Sequence, residues 1–88
     1  MAFGPIQMYP TPFDKGAVLM ENIIRTNPFR EGNKRTEFAA GAALIHVLTG
    51  RKVLASANEV VQVSKAAEDK RLDLAALSEW FEVHSRAP

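Results

Sequence analysis

The chain contains no cysteine, which excludes disulfides and thiolate metal sites. It has two histidines, His46 and His84, too few for a typical zinc site, and no carboxylate spacing around them suggests one. Neither sign of charge dominates. The formal net charge is +1, so whole-molecule attraction to nucleic acid or acidic lipid is weak. The longest apolar run, residues 38–48, falls well short of the roughly 20 residues that span a bilayer. No charged-then-apolar start marks a signal peptide, and there are no internal repeats or low-complexity tracts. These absences point to a soluble, cytoplasmic protein with neither nucleic acid nor membrane as partner. At 88 residues, the chain makes one domain, 1–88, with a modest core.

What the chain does have is concentrated in Asn27-Pro28-Phe29-Arg30-Glu31-Gly32-Asn33-Lys34-Arg35-Thr36. A proline, a glycine, an acid and three cations precede the apolar run. The rest is organised around this stretch. Residues 1–10 carry Gly4, Pro5 and Pro10 among apolar side chains, which predicts an extended or hairpin segment rather than a helix. Thr11 reads as an N-cap, with Pro12 at the first helical position and Asp14 in the first turn. Val18, Leu19 and Ile23, with Met20 and Ile24 as further candidates, form the buried side of this first helix. It stops near Thr26, because Asn27 precedes a proline.

Asn33 is the expected N-cap of a second helix that runs to about Thr49, with Gly50 in the left-handed position past its end. From Phe38 to Leu48 this helix has almost no polar face, so it should be surrounded by partners. Residues 51–55 read as a connector. Ser56 and Glu59 form a capping box for a third helix, ending near Glu68, with Val60, Val61 and Val63 among its apolar positions. Asp69-Lys70-Arg71 is a charged turn. Asp73 caps a fourth helix in which Leu74, Leu77, Trp80 and Phe81 recur at helical spacing, and the last residues are expected to fray. The apolar fraction is 47%, and three short amphipathic neighbours offer the second helix little cover. A missing segment, a second copy or a partner is expected to complete the core.

Within the central stretch, Gly32 permits a tight turn or the close approach of a ligand. Asn33 is a helix cap. The amides after it lack intrahelical acceptors and carry partial positive charge, which suits a phosphate. Lys34 and Arg35 oppose the helix dipole by roughly 0.3–1 kcal/mol each, a cost that a bound polyanion would offset. Arg35 offers a two-pronged grip on it. Glu31 either holds a magnesium ion bridging phosphate oxygens or neutralises its cationic neighbours. Phe29 anchors the loop in the core. His46 reads as a core or boundary histidine, His84 as chemically idle, and Trp80 and Phe81 as core or interface anchors. The stretch is not a P-loop, which needs a second glycine and an adjacent Lys-Ser/Thr pair. Nor is it a helix-turn-helix, since the following helix is apolar where a recognition helix is polar.

Phe29, Glu31, Gly32, Asn33 and Arg35 stand in the register of His-x-Phe-x-Asp/Glu-Gly/Ala-Asn-x-Arg, and the stretch resembles the signature of the Fic/Doc superfamily. Lys34-Arg35-Thr36 is similar to the Doc (death-on-curing) branch. So are Tyr9-Pro10-Thr11-Pro12-Phe13, Leu48-Thr49-Gly50 and Leu72-Asp73-Leu74, which extends the resemblance over roughly residues 6 to 84. It implies an all-α, Fic-like helical bundle around a buried central helix preceded by an anion-binding loop. It also implies a flap-like segment at 1–10 and a helical core at 11–86. The implied activity is transfer of a phosphate, or AMP, from ATP with Mg2+ to a hydroxyl of a target protein, for Doc elongation factor Tu. The implied partner is a Phd-like antitoxin. Carried over, Glu31 would bind the metal, Gly32 and Asn33 would help form the anion hole, and Lys34 and Arg35 would contact nucleotide phosphates.

Two departures accompany the resemblance. Asn27 stands where the motif has its histidine, the general base, so activity is expected to be absent or attenuated. The N-terminal helices of Doc-like chains are missing ahead of Tyr9, which predicts a self-associated or partner-bound form. The alternative reading is a non-catalytic interaction module on a Fic scaffold, binding an antitoxin or a second copy.

Overall fold

The structure, a computed structural model, describes residues 9–26 and 34–87, Lys34 by its backbone alone. The described chain is an all-α helical bundle: α1 (Pro12–Thr26), α2 (Lys34–Thr49), α3 (Ala57–Glu68) and α4 (Leu74–Val83). Strands β1 (Lys52–Val53) and β2 (Ser85–Arg86) add a two-residue antiparallel ladder, pairing Lys52 with Arg86 and Val53 with Ser85.

Local capping chemistry accounts for the helix ends. The Thr11 hydroxyl accepts from the Asp14 amide at 3.0 Å, opening α1. Gly50 closes α2 in the left-handed region, at φ 77°, as a residue without a Cβ can. The α3 capping box is complete, because Ser56 Oγ accepts from the Glu59 amide while Glu59 Oε1 accepts from the Ser56 amide. Asp73 Oδ1 accepts from the Ala76 amide and starts α4. The turn between α3 and α4 holds Lys70 at φ 60°, a conformation uncommon for a residue with a side chain.

Gly16, in the first half of α1, meets Gly41 and Ile45 of α2. The two helices cross backbone to backbone: a Cβ at Gly41 would lie 2.8 Å from the Gly16 carbonyl oxygen and 3.0 Å from Phe81 Cζ. The core gathers Ala17, Met20, Phe38, Ile45, Leu77 and Phe81. Phe38 stacks on Phe81 with ring centroids 5.6 Å apart and meets Trp80 edge-on at the same distance.

Several expectations are corrected. The central helix is buried on one side only. Glu37, Phe38, Gly41 and Ile45 are buried, but Ala39, Ala43 and His46 are exposed, as are Val47 at 78% and Leu48 at 47%. Its described neighbours pack against part of its circumference, and an apolar sequence cannot cover itself. The full burial in α1 falls on Gly16, Ala17, Val18 and Met20, while Leu19 and Ile23 are half-buried. In α3, Val63 is buried and Val61 exposed. Residues 51–55 contribute β1, and the C-terminal end is tied down as β2. Arg51 donates from Nε to Ser85 Oγ at 2.8 Å and from a terminal nitrogen to the Ser85 carbonyl at 3.2 Å, with its guanidinium 5.9 Å above the Phe13 ring. His84 is also engaged. It stacks on Trp80 at 3.8 Å, its Nδ1–H donates to the Trp80 carbonyl at 2.8 Å, and its Nε2 lies 3.5 Å from Glu59. Among the described residues, no helix is long and apolar enough to cross a membrane.

Candidate functional site

The candidate stretch joins α1 to α2, which touch at Gly16 and Gly41. The last residue of α1 is Thr26 and the first of α2 is Lys34. Asn27, Glu31, Gly32 and Asn33 lie outside the described residues, as does the segment 1–8 within the expected flap. Of the candidate residues, Lys34 is the first residue of α2, and Arg35 follows it with an exposed side chain. The first amides of a helix have no acceptor within it and sit at the positive end of the dipole, so the start of α2 suits an anion. Arg35 adds a guanidinium at that same end.

Glu37 modifies this picture. It occupies the first turn of α2, is 2% exposed and is engaged by a partner. Its carboxyl complements the dipole that Lys34 and Arg35 oppose. The sequence signal was available, since an acid three residues after Lys34 sits in that first turn. Among the described residues, no three acidic or histidine side chains gather as a metal site. His46, read as a core or boundary group, is exposed, with Nδ1 3.3 Å from the Arg51 carbonyl. It sits on the uncovered side of α2.

Sequence reasoning missed a second feature. A cleft of about 270 Å³ opens where the last two turns of α1 meet the end of α3, the turn after it and the start of α4. Its walls come from Glu21 and Arg25, from Glu68 and Lys70, and from Leu72 and Leu74. No local pattern marks it, because these elements converge only in the folded chain. Burial pushes the Glu21 carboxyl above its ordinary range, while the nearby Lys70 and Arg25 charges pull the other way.

The comparison with known families bears on these residues. Residues 5–45 match the Fic/DOC family. The Fic/DOC match takes in α1, residues 27–33 and α2 as far as Ile45, and so every candidate residue from Asn27 to Arg35. It covers a little under half of the 88 residues. The similarity read at Leu48-Thr49-Gly50 and Leu72-Asp73-Leu74 falls beyond it. No curated protein and no solved structure matches the chain significantly.

Proposed function

We propose that the chain is a Doc-like, toxin-type transferase domain that moves a phosphate, or AMP, from ATP to a hydroxyl of a target protein such as elongation factor Tu, and that Asn27 leaves it inactive or attenuated. The observation that carries this reading is the Fic/DOC match across α1 and α2, with the motif residues between the two helices. The exposed Arg35 in the first turn of α2 supports it, since a guanidinium at a helix start is the chemistry a nucleotide phosphate requires. In this reading Gly32, Asn33, Lys34 and Arg35 hold phosphate oxygens, and Glu31 holds Mg2+, a hard cation that takes oxygen ligands. The ion, when bound, would neutralise phosphate charge. A Phd-like antitoxin would be the partner and the cytoplasm the setting.

The transfer forms a bond from the target hydroxyl oxygen to phosphorus. The bond from that phosphorus to the bridging oxygen breaks, releasing ADP when the terminal phosphate moves and pyrophosphate when AMP moves. In both cases the hydroxyl proton needs an acceptor. The Asn27 amide has no basic lone pair near neutral pH, and losing a general base costs about 10²–10⁴ in rate. The test is transfer from ATP labelled at the α or the γ phosphate to elongation factor Tu. Asn27→His is expected to raise transfer by about 10²–10⁴, and adding Arg35→Ala to it should lower transfer again. A histidine variant that neither binds nucleotide nor transfers label ends the enzymatic reading.

The second reading, an interaction module on a Fic scaffold, is favoured by the exposed Val47 and Leu48 of α2. It predicts no nucleotide affinity, so Arg35→Ala would leave binding unaltered.

A further inference from the structure

The cleft between α1 and the α3–α4 turn has its own charge arrangement, and its position is independent of the nucleotide chemistry proposed above. Its volume of about 270 Å³ lies below the roughly 300–1,000 Å³ of pockets for small molecules and cofactors, which favours a single side chain as guest. Much of its lining is apolar, from Ile24, Ala67, Leu72 and Leu74. Five charged side chains line it: Glu21 and Glu68 are half-buried, whereas Arg25, Lys70 and Asp73 are exposed at the rim. Rim cations are screened by solvent and salt, but a carboxylate set into an apolar recess is screened far less. The lining holds three carboxyls, Glu21, Glu68 and Asp73, against two cations, Arg25 and Lys70, so its formal charge is net negative.

We infer that this cleft receives the side chain of an arginine presented by a partner protein, its methylene stem against Ile24, Leu72 and Leu74 and its guanidinium at Glu21. An arginine suits the recess better than a lysine, because its planar guanidinium is more weakly hydrated and pairs with a carboxylate through two donors. Its stem covers apolar surface while its head meets the charge.

The experiment titrates N-acetyl-arginine amide into the full isotope-labelled chain and follows backbone amide shifts, with N-acetyl-glutamate amide as the opposite charge. Shifts are expected at Glu21, Ile24, Lys70, Leu72 and Leu74 with the arginine probe alone. Glu21→Gln should weaken binding about tenfold or more, the loss of a charge-assisted contact. Lys70→Ala, an exposed change that removes a competing cation, should tighten it about twofold. Equal response to the glutamate probe, shifts confined to other surfaces, or unchanged affinity in Glu21→Gln overturns the inference. Should Glu21→Gln lose its helical circular dichroism, Lys70→Ala decides, and weaker or unaltered binding there overturns it.

Discussion

Gly41 is where one atom decides most. A methyl group there would meet the Gly16 carbonyl oxygen, which belongs to the backbone of a packed helix and cannot swing aside. Alanine normally gains about 1 kcal/mol over glycine inside a helix, whereas overpacking a core costs about 1–3 kcal/mol. Here the clash involves backbone on one side and a buried Phe81 ring on the other, so the cost wins. Gly41→Ala is expected to destabilise the fold by about 1–2 kcal/mol, and a urea titration measures it. An unchanged or raised midpoint would show that α1 and α2 separate without penalty. The sequence shows Gly41 only as one of several small residues in an apolar run. Which small residue is indispensable depends on where α1 crosses, and that is not a local property.

Among the elements, α3 has the clearest pH signature. Glu59 accepts from the Ser56 amide, and this bond, with smaller help from the Ser56 hydroxyl and His84, holds its carboxyl below the ordinary value of 4.5. A carboxyl depressed in the folded state contributes stability that is present above its unfolded value and lost as pH falls through the folded one. The α3 capping box should therefore weaken as pH drops below about 4.5, while Glu59→Gln, which titrates no proton, should show a flatter acid limb. Helical circular dichroism against pH in both proteins checks this, and parallel acid limbs would refute it. The Ser56–Glu59 box, the Asp73 cap and the Gly50 stop were all legible in sequence, because each depends on residues within one turn. The β1–β2 ladder was not. It pairs Lys52 with Arg86 and Val53 with Ser85, residues far apart in the chain, and two-residue strands leave no periodicity to read.

At the scale of the molecule, the uncovered side of α2 sets the expectation. Val47 and Leu48 are exposed beside Ala43, and Leu54 and Val83 add exposed apolar surface elsewhere. Burying apolar surface stabilises by roughly 25 cal/mol per Å², so association that covers this side is favoured. Sedimentation at micromolar concentration is expected to show concentration-dependent self-association, relieved by replacing Val47 and Leu48 with glutamate. A well-folded monomer in the unmodified chain would count against it.

The candidate stretch was readable because its chemistry is compressed into ten consecutive residues, and the Fic/DOC match covers the whole of it. Helix positions and their ends were readable for the same reason, since caps, prolines and left-handed glycines act over one turn. The order of residues could not reveal which apolar side chains stay in water, that Glu37 in the first turn of α2 is buried, or that Glu21 and Lys70 line a common cleft. Those outcomes depend on which helices meet and at what crossing, and such contacts form between residues far apart in the chain.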